Sequence, residues 1–113
     1  MSGEKKWIKR LEQLVKKRLE NGELSNEDIA TQFQISERQL FRRVKAITGM
    51  SPQKYIRQYR LYIALKYLEN GTYKTVKEAA EAIGYSNTSY FINQFEKQYG
   101  KKPLSVLRES GWR

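Results

Sequence analysis

The stretch SPQKYIRQYRLYIALKYLENG, residues 51–71, decides how the rest of the chain is read. Ser51 is a good N-cap, and Pro52 suits the first helical position, where its missing N–H costs nothing. Gly71 suits the left-handed residue just past a helix end. At about 100° per residue the apolar side chains fall on two faces. Tyr55, Ile56, Tyr59, Ile63 and Tyr67 make one, and Leu61, Ala64, Leu65 and Leu68 make the other. A helix with two apolar faces needs two bodies to pack against. The segments on either side supply them, so the sequence predicts a central helix tying together two small helical lobes.

Toward the N-terminus, Trp7, Ile8, Leu11, Leu14, Val15 and Leu19 recur at helical spacing around a basic run, Lys16-Lys17-Arg18. They predict a helix over 4–20 that ends at Asn21-Gly22. Ser25 to Asp28 has the form of an N-cap with an acid three residues later, and the short helix after it buries Ile29, Ala30 and Phe33. A turn at Gln34-Ile35 leads to a second capping box, Ser36 to Gln39. The helix from there, with Leu40, Val44 and Ile47 inward, runs to Thr48 and stops at Gly49. A short helix, a tight turn and a second capped helix is helix-turn-helix grammar.

The same grammar returns on the C-terminal side. Thr75 to Glu78 reads as a capping box, Ala79, Ala80 and Ile83 as an inward stripe, and Gly84-Tyr85 as the turn. Asn87 caps a helix that buries Phe91, Phe95 and Tyr99 and ends at Gly100. Pro103 opens a last short helix with Leu104, Val106 and Leu107. Ala30 matches Ala80 and Phe33 matches Ile83 at an offset of 50 residues. After the turn Leu40 matches Phe91, Val44 matches Phe95, Gly49 matches Gly100 and Pro52 matches Pro103 at an offset of 51. A duplicated supersecondary unit with one residue inserted in its second turn accounts for both offsets. The expected fold is all-α, about seven helices: a homeodomain-like helix-turn-helix lobe over 1–50, the linker helix over 51–71, and a second lobe over 72–113.

With 113 residues, 39% hydrophobic, the chain suits one small helical domain. Its formal charge of +10 favours a polyanion as partner. No apolar run approaches the ~20 residues of a membrane span, and no apolar leader opens the sequence, so a cytoplasmic, nucleoid-associated protein without membrane contact is expected. There is no Cys and no His. Disulfides, thiolate chemistry, the commonest metal sites and the commonest general base are excluded. The carboxylates sit at caps and on solvated faces with no pair set for acid–base work. The reading is therefore no enzyme, no cofactor and no metal.

Between Arg38 and Arg60 there are seven Lys or Arg residues and no acid. Part of that charge lies on the second helix of the first unit, the kind of helix that enters a major groove. With Leu40 and Val44 inward, Arg38, Phe41 and Arg42 face outward: the arginines suit guanine and the phenyl ring a thymine methyl. In the second unit Thr88, Ser89, Ile92 and Asn93 face outward, Asn93 suiting adenine. Ser36, Lys45, Lys54, Lys97, Lys101 and Lys102 are candidates for phosphate contact, which positions without specifying sequence. Tyr90 fits either core packing or a phosphate hydrogen bond. A solvated basic helix, a non-specific architectural DNA binder, an RNA-binding module and a protein-interaction module with an acidic partner are the competing readings.

Taken together, these residues resemble the DNA-binding domain of AraC-type bacterial transcription regulators. The likeness runs from about Leu24 to Arg108. In the first half it rests on Ile29-Ala30, Ser36 to Leu40, Lys45, Thr48 to Pro52, Tyr55 and Arg57; in the central helix on Arg60-Leu61, Ala64 and Leu68. In the second half it rests on Val76, Ala79-Ala80, Gly84-Tyr85, Ser89 to Phe91, Phe95, Lys97, Gly100, Pro103 and Arg108. The sequence departs from the family pattern at Gln34, Asn93, Glu96 and Lys102. The resemblance implies two helix-turn-helix units bridged by a long helix, each placing a helix in adjacent major grooves of double-stranded DNA. It also implies transcription activation with contact to RNA polymerase. An isolated domain of this kind is expected to be monomeric, and a longer regulator dimeric through a further effector or signalling domain.

Overall fold

The computed structural model describes residues 3–19 and 24–110. Among them are seven helices: α1 Gly3–Lys17, α2 Asn26–Phe33, α3 Glu37–Thr48, α4 Pro52–Asn70, α5 Val76–Ala82, α6 Thr88–Tyr99 and α7 Pro103–Glu109. By contacts the chain divides into two compact units, with the division inside α4. The first holds α1 to α3 and α4 through Tyr59; the second holds α4 from Arg60 onward with α5 to α7.

In the first unit both capping boxes form. Ser25 Oγ accepts the Asp28 N–H at 3.0 Å. Ser36 Oγ accepts the Gln39 N–H at 3.1 Å, while Gln39 Oε1 accepts the Ser36 N–H at 2.9 Å. Each box satisfies two helix-end donors with one pair of side chains. α2 ends on Gln34, which takes a left-handed backbone at φ 56°. That turn lets the Ile35 N–H reach back to the Ala30 carbonyl at 3.0 Å. Trp7, Leu11, Val15, Ile29, Ala30, Leu40, Val44 and Ile56 are buried. Phe33 and Ile47, expected inside, are half-buried. α1 closes at Lys17, short of the expected residue 20, because the Arg18 N–H turns back to the Val15 carbonyl at 3.1 Å. The expected stop at Asn21-Gly22 lies outside the described residues.

The second unit repeats these bonds. The Tyr85 N–H reaches the Ala80 carbonyl at 3.0 Å across Gly84, which has φ 90°. Gln34 and Gly84 are therefore equivalent turn residues, at an offset of 50. The N-caps Ser36 and Asn87 stand 51 apart, which places the inserted residue at Ser86. Thr75 departs from the expected box. Its hydroxyl accepts the Glu78 N–H at 3.0 Å and donates to Glu78 Oε1 at 3.1 Å. The carboxylate is thus engaged by the hydroxyl rather than by the Thr75 backbone. Phe91 and Phe95 fill the middle of this unit with Leu61, Leu68, Ala79, Ala80, Ile83, Val106 and Leu107. Tyr99, expected inside, is half-buried, and Leu104 on α7 is exposed.

The faces of α4 differ from the expected pair in one respect. Ile56, Leu61, Ile63, Ala64 and Leu68 are buried and the tyrosines only partly so. Arg60 is buried among them at 9% exposure. Burial lowers the pKa of its guanidinium, and the nearby Tyr85 phenol opposes that shift. An arginine stays protonated at neutral pH even so, but because it is buried it is not part of the exposed basic surface.

Candidate nucleic-acid interface

In the first unit α2 supports α3, and the core grip of Leu40 and Val44 fixes which side of α3 faces water. Arg38, Phe41, Arg42 and Lys45 are all exposed. Phe41 keeps 47% of its surface open. A phenyl ring left half open to water beside three cations presents that open part to an apolar group such as a thymine methyl. Ser36, at the N-cap, and Lys54, in the first turn of α4, are exposed or nearly so. The Lys54 N–H is itself held by Ser51 Oγ at 3.3 Å.

On the side of α3 away from Phe41 lies a groove of about 500 Å³, lined by Glu4, Ile35, Gln39, Arg42, Arg43, Ala46 and Ile47. Arg43 is anchored over the Trp7 ring of α1, its guanidinium carbon 4.9 Å from the ring centroid. Trp7 meets Phe33 edge-on at 5.2 Å, and Arg10 lies 4.5 Å over Phe33. Two arginines are thus held by one aromatic pair. The sequence reading did not single out this ladder or the groove. The signal for the groove was available, since Gln39, Arg42, Arg43 and Ala46 share one arc of the helix.

In the second unit Ser89, Tyr90 and Asn93 are exposed on α6, while Thr88 and Ile92 are half-buried. Tyr90, left open between packing and surface roles, has 49% of its surface exposed and its ring tilted against Tyr85 with 6.0 Å between centroids. Lys97 and Lys102 are exposed. Lys101 is exposed and pairs with Glu109 at 3.9 Å. Arg38, Phe41, Arg42 and Lys45 are thus exposed on α3 and Ser89, Tyr90, Asn93 and Lys97 on α6, while Lys54, Lys101 and Lys102 lie outside both helices.

A helix-turn-helix domain model matches residues 29–109, more than half of the chain. The chain belongs to the AraC-type helix-turn-helix family. It is 33% identical over 82 residues to the HTH-type transcriptional activator RhaS of Pectobacterium atrosepticum, and 35% identical over 87 residues to RhaS of Mannheimia succiniciproducens. These matches take in 73% and 74% of this chain, but only 29% and 31% of the relatives. The chain thus spans about a third of the length of the regulators it matches. An AraC-type DNA-binding regulator from Chromobacterium violaceum superposes with a TM-score of 0.80 at 28% identity, over 87% of this chain and 86% of that one. The C-terminal domain of the response regulator AraT from Geobacillus stearothermophilus gives 0.76 at 27% identity, over 90% and 84%.

Among the described residues no group of His, Cys, Asp or Glu is set to hold a metal ion, and no helix is long and apolar enough to cross a membrane.

Proposed function

We propose that this AraC-type domain reads a specific site in double-stranded DNA through α3 and α6, and so places a transcription regulator at its promoter. The observation that carries the reading is the exposed face of α3, where Arg38, Phe41 and Arg42 stand together on the capped second helix of a helix-turn-helix. Arginine hydrogen-bonds guanine in pairs, and an apolar ring meets a thymine methyl; both discriminate between bases, which a merely solvated basic helix would not. Thr88, Ser89, Ile92 and Asn93 provide the weaker reading set. Ser36, Lys45, Lys54, Tyr90, Lys97, Lys101 and Lys102 hold phosphates, Lys101 at the expense of its pair with Glu109. Transcription activation is carried over from the relatives named as activators; contact with RNA polymerase, a bacterial cytoplasm and the absence of catalysis belong to the same proposal.

The test is selection of bound duplexes from a random pool, followed by titration of the selected site against a scrambled one. One consensus with at least about tenfold preference over the scramble is expected, a threshold far below the roughly thousandfold or greater ratios typical of specific regulators. Affinity should fall at least roughly tenfold between about 50 and 200 mM salt as counterions are released. Equal affinity for both duplexes would leave a non-specific DNA binder, and a flat salt response would remove DNA as the partner.

A further inference from the structure

α1 carries two acids and six basic residues, and the fold separates them. Glu4 lines the groove beside Arg42 and Arg43. Glu12 is half-buried, and its carboxylate accepts the hydroxyl hydrogen of Tyr55 from α4. Lys6, Lys9, Lys16 and Lys17 are exposed. Trp7, Leu11 and Val15, on the opposite side of the helix, are buried. Arg10, also exposed, is held over Phe33 at 4.5 Å. The outer face of α1 is therefore a row of cations with its two acids drawn to other surroundings, about 16 Å long from Lys6 to Lys17 at ~1.5 Å per residue.

This face is distinct from the reading face. α1 and α3 pack together, and Arg43 bridges them through Trp7. Arg38, Phe41 and Arg42 lie across α3 from the buried Leu40 and Val44, while the lysines lie across α1 from the buried Trp7, Leu11 and Val15. Each face is on the far side of its own helix from the core they share. The two faces adjoin only at the start of α1, where Glu4 borders Arg42, and the row from Lys6 to Lys17 lies opposite the buried side of α1.

We propose that the outer face of α1 is a second, sequence-independent DNA site, which holds a separate duplex segment while α3 reads its own. The inference rests on DNA being the partner of α3. Charge complementarity selects the occupant: a row of four lysines with one neutral side chain among them, the exposed Gln13, fits the regular phosphates of a duplex. Two such sites would let one molecule bridge segments and pass between them during a search.

The experiment mixes the chain with two labelled populations of the selected duplex, one carrying a donor and one an acceptor fluorophore. Energy transfer reports a bridge. The variant Lys6→Gln, Lys9→Gln, Lys16→Gln, Lys17→Gln is compared with a control, Lys66→Gln, Lys74→Gln, Lys77→Gln, which also removes surface charge. Both are checked for folding by circular dichroism, and binding to one duplex is measured separately by anisotropy. The expected result is bridging by the parent chain and the control. The α1 variant should lose bridging by at least about tenfold in duplex concentration, the scale of a few lost phosphate contacts, with single-duplex affinity close to the control's. Bridging that survives in the α1 variant would assign it to the two reading units and overturn the proposal. So would no bridging in the parent, or a single-duplex affinity that depends on α1 and on flanking length. Retention on phosphatidylserine vesicles without bridging would overturn it in favour of a lipid surface. Failure of single-duplex binding in the parent chain would instead count against α3 as a DNA reader.

Discussion

Arg43 of the reading helix rests on Trp7 of α1, with 4.9 Å between guanidinium carbon and ring centroid. The ring is nearly buried, and it serves two partners: Phe33 meets it edge-on, and the cation covers its face. Its removal should therefore hurt far more than removal of the cation. Trp7→Ala should destabilise the first unit by about 3–5 kcal/mol, and Arg43→Gln by about 0.5–1 kcal/mol. Urea unfolding followed by circular dichroism measures both. Equal costs would mean that the stack, rather than burial of the indole, orients α1 against α3.

Gln34 offers a gain. It holds φ 56°, a region that costs a side-chain-bearing residue about 1–2 kcal/mol, and its counterpart in the second unit is Gly84. Gln34→Gly should raise stability by about 0.5–1 kcal/mol once the greater freedom of glycine in the unfolded chain is set against the relief of strain. A higher melting temperature, with DNA affinity unchanged, is the expected outcome. A lower one would show that the Gln34 side chain contributes more than its backbone costs.

The two reading helices should contribute unequally. α3 carries Arg38, Arg42, Arg43 and Lys45 against Glu37, whereas α6 carries Lys97 against Glu96. Arg42→Ala should cost about 1–3 kcal/mol and relax the preference at one base pair. Lys45→Ala should weaken all duplexes alike and make the salt slope shallower by about one unit. Asn93→Ala should cost less than Arg42→Ala. Titrations of each variant against the selected and scrambled duplexes decide the order, and a larger loss at Asn93 would make α6 the anchor.

Stability should change little across neutral pH and fall in alkali. With no His and no Cys, no side chain has an ordinary pKa between about 5 and 8. Burial, then the hydrogen bond to Glu12 and its charge, raise the Tyr55 pKa above the usual 10.0, and burial raises that of Tyr99. Above pH ~10 the unfolded chain releases those protons while the folded chain keeps them, so unfolding gains from rising pH. The contribution is whole below pH ~10 and is lost as pH climbs toward the folded values. Buried Arg60, with its pKa lowered by burial, contributes with the opposite sign. Urea midpoints between pH 6 and 11 give the curve, and Tyr55→Phe should make its alkaline limb less steep. An unchanged limb would place the titration elsewhere.

The helices and turns were legible because their signals are local. A cap and its partner lie three residues apart, as in Ser36 and Gln39, and the repeat fixed the turns by comparing one half with the other. Thr75 shows the limit: the residue types of a capping box do not say whether the acid takes the backbone N–H or the hydroxyl. The outward face of α3 followed from Leu40 and Val44 alone. What escaped depends on partners distant in the chain. Arg60 reads as one more cation in a basic stretch, and only packing reveals that it is buried. Trp7, Phe33, Arg10 and Arg43 come from three helices, and no spacing rule brings them together. Tyr99 was misplaced because a helix end leaves periodicity too few turns to choose a face.

The hydroxyl of Tyr55 does more than complete a hydrogen bond with Glu12. Glu12 follows Lys9 by three residues and precedes Lys16 by four, the spacings at which carboxylates and lysines pair on a helix surface. Held by Tyr55, the carboxylate is kept from both. A phenylalanine at that position would release it to swing across the row and neutralise its middle. One oxygen atom on α4 thus fixes where the negative charge sits on a helix more than forty residues earlier in the chain, without altering a single lysine.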